Sequence, residues 1–364
     1  MTQDRRPDRQ AAARRALEAE GLDALLVTHL PNIRYLTGFT GTSALLLITP
    51  ERTVFISDFR YESQAEQEVG ASAAVEIDRA SVWDRLARTV AAAGVGTLGL
   101  EAQSLTLHDA ERVAAMPRMR VQSTSGIIER LRVIKDPDEV DAIRRAAALA
   151  AAALDQVLPS VRPGETELAV AARLEAALRE RGSEWHPFQT IVASGPRSAL
   201  PHARTSTRTI ERGDWLLLDF GAQVDGYCAD LTRTIVAGAR ADARQRAVYE
   251  TVRAAQQRAL SGVQAGMTGR EADALARDLI AARGFGDAFG HSLGHGLGLE
   301  VHEAPRLAAT ATDPLPAHAV VTVEPGVYLP GWGGVRLEDD VYLSPDGPVC
   351  LSDNRTDLIE LMRE

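Results

Sequence analysis

Cysteine is nearly absent: Cys228 and Cys350 are the two in 364 residues. That is too few for a disulfide framework, and they lack metal-type spacing. Long hydrophobic runs are missing as well. The longest, such as Ala44-Leu45-Leu46-Leu47-Ile48, fall far short of the roughly 20 residues that cross a membrane as a helix. The first residues, MTQDRRPDRQAAARR, are polar and carry acids, so they read as neither signal peptide nor membrane anchor. Positive charge is in deficit, 40 Lys and Arg against 50 Asp and Glu, for a net charge of -10 and a pI near 5.4. Such a surface repels polyanions and argues against nucleic acid as a partner. Lys135 is the one lysine beside 39 arginines (40 minus 1), which, with the alanine excess, reads as coding bias. No Gly-rich phosphate loop occurs, for Gly38 and Gly41 in Asn32 to Gly41 fit neither a Walker nor a dinucleotide fingerprint. What is present is an ordinary globular balance, 45% hydrophobic and 25% charged, expected in a reducing, cytoplasmic setting and in two domains or more.

Residues 1–130 alternate strand-length apolar runs with helical patterns. Ala24-Leu-Leu-Val27, Ser43 to Ile48, Thr53-Val-Phe-Ile56 and Thr97-Leu-Gly-Leu100 read as strands. Ser81 to Ala93 reads as a helix that Gly94 and Gly96 end. This alternation predicts an α/β layer domain. The stretch LRVIKDPDEV, Leu131 to Val140, reads as a hinge. Pro137 interrupts any continuous helix there, and Asp138 and Glu139 suit the first turn of an alanine-rich helix from about Asp138 to Leu158. Residues 131–364 hold a short repeat. Pro163-Gly164-Glu-Thr166 leads a helix ending at Gly182, and Ala265-Gly266-Met-Thr268 leads another ending at Gly284, where Thr268 and Glu271 form a capping box. Two such units, each followed by strands, predict a pseudo-symmetric α+β domain from a duplicated half.

The strongest chemical signal is Asp214 to Thr232, where β-favouring residues flank a turn at Val224-Asp225-Gly226. With Val224 and Asp225 as the loop, Asp219 and Asp230 become a direct cross-strand pair on one face of the sheet. Two facing carboxylates repel unless a cation lies between them; on this hairpin alone, the alternative is two unrelated acids on a solvated face. Val320 to Glu324 and Gly334 to Leu343 read as two further strands, with Glu324 and Glu338 symmetric about Gly331. A buried strand rarely carries glutamate unless it is paired or binds metal. Pro325 ends the first strand directly after its acid, placing Glu324 at a strand end that faces a cavity.

Six histidines, His186, His202, His291, His295, His302 and His318, fall in the C-terminal part. Three of them lie within twelve positions, His291 to His302, with Gly294, Gly296 and Gly298 around His295. Glycine there permits close backbone approach and leaves room for a ligand. A His-Glu-x-x-His zinc helix is excluded, because Pro305 follows His302-Glu303 too closely. Asp219, Asp230, His295, Glu324 and Glu338 thus form one oxygen-rich set with a single imidazole. Four carboxylates balance two divalent ions; the donor set suits Mn2+ best, with Co2+, Zn2+ or Fe2+ as alternatives.

These residues resemble the pita-bread metallopeptidases, the group of aminopeptidase P, prolidase and methionine aminopeptidase. The Asp219/Asp230 pair, His295-Gly-Leu-Gly, Glu324-Pro-Gly and Val335-Arg-Leu-Glu338 carry the likeness in order. The first 130 residues look like the creatinase/prolidase N-terminal domain of the proline-directed branch, and LRVIKDPDEVDAIRRA looks like that branch's interdomain helix. The resemblance implies a catalytic domain with a curved antiparallel sheet and two divalent ions on the five ligands, bridged by Asp230 and Glu338. It implies Glu324 as proton shuttle, His291 and His302 as donors to the scissile carbonyl and its oxyanion, and His202 over the substrate pocket. Arg336 resembles the arginine that helps hold substrate. Ala317-His318-Ala319 stands where the group usually has Gly-Met, which puts the local turn in question. Expected substrates are small peptides with proline second, and a homodimer or larger assembly is implied.

Release of the first residue from longer peptides, as by aminopeptidase P, and cleavage of dipeptides, as by prolidase, differ in what caps the far side of proline. Arg306 could pair with a dipeptide's carboxylate, or be an exposed loop arginine. The chain is short for a prolidase with long capping insertions, so the reading leans to the aminopeptidase. A metal-free creatinase-like hydrolase and a non-catalytic binding protein on the same fold are the other classes; both should have lost the carboxylates that this chain retains.

Overall fold

The computed structural model describes residues 4–352 and 355–362. The chain divides into two compact units, Met1–Arg132 and Val133–Glu364.

The first unit is built on a six-stranded sheet. In spatial order its strands are Ala74–Asp78, Thr53–Asp58, Leu45–Ile48, Ala24–Val27, Thr97–Glu101 and Arg120–Thr124. Leu45–Ile48 runs antiparallel to both its neighbours and the remaining pairs are parallel. Ala24–Val27 and Leu45–Ile48 are buried at every position, which is why they are continuously apolar rather than alternating. The helix Val82–Ala93 begins where Ser81 Oγ accepts the Asp84 N–H at 3.2 Å, and ends at Gly94 in the left-handed region.

The second unit opens with the helix Pro137–Val157. Asp136 caps it, and Glu139 returns a bond to the Asp136 N–H at 2.8 Å, so proline falls at the one place in a helix where its missing N–H costs nothing. Two halves follow the same plan. Thr166 caps Glu167–Glu180 and Thr268 caps Gly269–Ala282. Ahead of each, a glycine N–H is anchored at 2.8 Å, Gly164 on Ile210 O and Gly266 on Leu315 O. Each half packs its helices on its own sheet, over cores that include Leu174, Leu218 and Ile235 in one and Val252, Ile280 and Val321 in the other. The first sheet contains the antiparallel strands Ile191–Ser194, Trp215–Phe220 and Leu231–Ala237, with Glu360–Leu361 added parallel at its edge. The second is antiparallel in the order Glu303–Leu307, Gly294–Gly296, Val320–Val323, Asp339–Ser344 and Gly347–Cys350. A bridge between Thr232 and Glu338 joins the two.

One register differs from expectation. The hairpin loop is Asp225-Gly226, with φ of 52° and 82°, and Val224 pairs with Tyr227. Both loop positions of such a turn need positive φ, which Asp and Gly tolerate and β-branched Val does not. Asp219 therefore faces Thr232 rather than Asp230. The displacement moves the partner two residues along the strand, so both acids keep the same face and become diagonal rather than direct neighbours.

The Glu324/Glu338 symmetry holds. Val323 pairs with Asp339 on one side of these acids and Gly326 with Arg336 on the other. At the acids themselves the ladder opens. Glu324 N–H turns to Leu293 O at 2.8 Å and Glu338 N–H to Thr232 O at 3.1 Å. Both glutamates thus stand where the long hairpin parts, with strands of both sheets beside them.

Candidate metal centre

The glycines around His295 answer to the backbone on either side. A Cβ on Gly294 would lie 2.0 Å from Thr322 O, and one on Gly296 would lie 2.1 Å from Ala304 O. Gly294–Gly296 can therefore slot between two strands with the His295 side chain directed at the carboxylates. Its Nδ1–H donates to Gly296 O at 3.0 Å. That fixes the tautomer and leaves the Nε2 lone pair 3.4 Å from Glu324 Oε1 and 3.9 Å from Asp230 Oδ2. Asp230, His295 and Glu338 each offer a ligand atom within 4.8 Å of the others.

Asp219 and Glu324 complete the cluster. Asp219 Oδ2 is ion-paired with the buried Arg336 guanidinium. Thr322 Oγ1 donates to Glu324 Oε1 at 3.2 Å and accepts the His295 N–H at 3.0 Å. Thr232 Oγ1 donates to Glu338 Oε2 at 2.6 Å while accepting Arg336 Nε–H at 3.1 Å.

Burial pushes all four carboxyls up. Glu324 rises to about 8, and Asp219 rises despite Arg336. Asp230 and Glu338 rise well above the carboxylate range, with repulsion from their acidic neighbours adding to burial. Two oxygens, Asp219 Oδ1 and Asp230 Oδ1, are buried with no hydrogen-bond donor among the described residues. Buried acceptors without partners are rare. Orphaned oxygens, mutual repulsion and a single imidazole lone pair fit divalent cations, and the donor set suits hard-to-borderline ions.

The other expected residues are disposed around this cluster. His291 Nδ1–H donates to Ser292 O at 2.8 Å, and its Nε2 lies 2.8 Å from Tyr328 OH. Burial holds His291 and His295 down to about 4, so both are neutral. The exposed His302 lies with its ring 4.3 Å from that of His295; partial burial, then the charges of His202 and Arg306, lower its pKa. The exposed His202 is close enough for its charge to act on Asp219 and His291. Arg306 lies directly across the strand pair from His295, exposed and without an ion pair among the described residues. Arg336 also donates to Tyr328 OH at 2.8 Å and Pro201 O at 3.1 Å. Two histidines stand elsewhere: His186 stacks on Trp185 at 4.6 Å, and His318, at a φ of 68°, bonds Tyr342 OH at 2.6 Å.

Thr232, Thr322 and Tyr328 carry no sequence signal of their own beyond lying within two to four residues of an acid. Asp339 and Asp340 do, because three consecutive acids on one strand cannot all face solvent. Both are fully buried. Asp340 Oδ2 accepts the Asp230 N–H at 3.2 Å, and Asp339 takes Arg233, Gln256 and Ser352.

Comparison with known proteins agrees with this geometry. The model for "Metallopeptidase family M24" matches residues 141–345, and that for "Creatinase/Prolidase N-terminal domain" matches 9–134. The Bacillus subtilis (strain 168) protein named "Uncharacterized peptidase YqhT" is 42% identical over 94% of this chain and 96% of its own. The solved Xaa-Pro dipeptidase from Bacillus anthracis superposes with a TM-score of 0.95 at 41% identity, covering 98% of this chain and 100% of that one. The X-Pro aminopeptidase from Thermotoga maritima MSB8 gives 0.89 at 37%, covering 95% and 99%.

Proposed function

This chain belongs to metallopeptidase family M24, in its Xaa-Pro peptidase branch, and from that premise we propose that it hydrolyses the Xaa–Pro bond of small peptides, Xaa-Pro dipeptides foremost. Asp219, Asp230, His295, Glu324 and Glu338 are the residues that would hold two divalent ions, Mn2+ by preference. Divalent ions held there would lower the pKa of a water and polarise a substrate carbonyl.

The protein's own groups supply the rest. A peptide bond to proline is a tertiary amide, so its nitrogen must gain a proton as it leaves. Glu324 is the group for that transfer. Its Oε1 is engaged by Thr322 and its Oε2 takes no hydrogen bond among the described residues, 4.0 Å from His291 Nδ1, so Oε2 carries the proton from attacking water to the leaving nitrogen. His302, at the exposed rim, donates to the oxyanion, and His202 covers the substrate. Both nitrogens of His291 are occupied within the protein, which narrows it from a carbonyl donor to a support for Tyr328 and the Glu324 wall. Arg336 is similarly committed to Asp219, Thr232, Tyr328 and Pro201. It balances the cluster's charge and keeps at most one N–H for substrate.

The dipeptide preference rests on Arg306. Directly opposite His295, it places a guanidinium with no acidic partner among the described residues on the face where a C-terminal proline carboxylate would lie. Length no longer argues against this reading, since the Bacillus anthracis dipeptidase is covered end to end. Cleavage of longer peptides is the second reading, favoured by the solvent exposure of Arg306, which leaves the far side of proline open. Rates on Ala-Pro and Ala-Pro-Ala with Mn2+ separate the two. At least tenfold higher kcat/KM on the dipeptide supports the first reading, and the reverse order overturns it.

A further inference from the structure

The lone lysine is not an accident of composition. Lys135 is buried to 1% side-chain exposure, and its Nζ lies 2.9 Å from Glu303 Oε2, on a side chain exposed by 7%. A dry ion pair is retained only when its geometry is good and its remaining donors and acceptors are used. Both partners are tied further. Lys135 N–H donates to His318 O at 2.9 Å, and Glu303 Oε1 accepts the Glu300 N–H at 3.1 Å. Gly298 packs so closely on this carboxylate that a Cβ there would come within 2.8 Å of Oε2. The Gly298 carbonyl in turn accepts the Cys228 N–H at 2.7 Å. The loop 298–303 is thus pinned at Gly298 and at Glu303, and His302 stands immediately before the second pin.

The one lysine beside 39 arginines thus stands in a dry ion pair. An ammonium is a compact point donor, whereas a guanidinium is a planar fork that would bring five donors to a site of 1% side-chain exposure. We propose that the Lys135–Glu303 pair is a positioning device that holds His302 at the metal centre and so sets turnover. This rests on the reading of His302 as the oxyanion donor.

The test compares Lys135→Met and Lys135→Arg, each in the wild-type and His302→Ala backgrounds, with full-length protein and Mn2+ on whichever of Ala-Pro and Ala-Pro-Ala is cleaved faster. Lys135→Met should lower kcat at least tenfold with KM within twofold and bound metal unchanged. Lys135→Arg should fail to rescue it. In the His302→Ala background either change should cost less than twofold. In chelated protein, the ring resonance lost in His302→Ala should move in Lys135→Met, a readout independent of activity. Equal losses in both backgrounds, or wild-type turnover in Lys135→Arg, overturn the proposal. Wild-type turnover in His302→Ala instead removes the underlying reading of His302. Should Lys135→Met not fold, Glu303→Gln is judged by the same comparison; if that variant does not fold either, the pair serves stability and the proposal falls.

Discussion

Removing metal from this protein should make its stability fall as pH rises above 6.5, the reverse of the usual carboxylate behaviour. Glu324 has an ordinary value of 4.5 and is pushed by burial to about 8 when no cation faces it. Between those values the unfolded chain has released the proton that the folded chain retains. Through Glu324, folding therefore loses free energy as pH climbs through that window. His291 and His295, held down to about 4 from an ordinary 6.5, act in the opposite sense up to 6.5, where the unfolded chain still binds protons that the folded chain has released. Above 6.5 that contribution ends, and the remaining roughly 1.5 pH units at about 1.4 kcal/mol each give a loss of about 2 kcal/mol from Glu324 alone. Asp230 and Glu338 shift in the same direction as Glu324. For a unit of this size, the Glu324 loss corresponds to a drop in Tm of about 4–8 °C. The assay is thermal unfolding of the chelated protein from pH 6.5 to 8.5, repeated with excess Mn2+. Metal binding requires ionised carboxylates, so added Mn2+ should abolish the fall, and its stabilisation should grow with pH. A chelated protein whose Tm is flat or rising over this range would refute the argument that these acids are buried together without compensation.

His302→Ala should keep its metal and lose about 10²–10³-fold in kcat, as removal of one oxyanion donor does elsewhere; unchanged turnover with unchanged metal content would remove that role. Arg306→Ala should raise KM for Ala-Pro at least tenfold and leave Ala-Pro-Ala within threefold, and equal effects on both would detach Arg306 from the carboxylate. Gly294→Ala puts a methyl group 2.0 Å from Thr322 O, so the strand carrying His295 must shift. Weakened metal binding and a lower Tm should appear together, checked by calorimetry and thermal melts, and a variant indistinguishable from wild type would refute the packing.

What the sequence revealed was mostly local. Helix starts at Ser81, Thr166 and Thr268 were legible because a cap and its first turn lie within four residues of each other. The Asp219/Asp230 hairpin was legible in face but not in register. Turn chemistry carried the missing information, since Asp-Gly accepts positive φ at both positions and Val-Asp does not. The Glu324/Glu338 return was readable because one register runs through both ladders on either side of the opening. Contacts between distant residues were not legible. Arg336 meets Asp219 across 117 positions and Lys135 meets Glu303 across 168, and no periodicity links such pairs. The glycines near His295 pointed to the right place for a partly different reason: Gly294 and Gly296 admit neighbouring backbones rather than leaving space for a ligand.

Metal stoichiometry of the full-length protein bears most directly on the account. After chelation and reloading with Mn2+, elemental analysis of the desalted protein should find two ions per chain, and Glu338→Gln, which removes one charge from a buried ligand, should hold fewer. A wild-type protein that takes up no metal, or a Glu338→Gln variant that retains both ions, would contradict it.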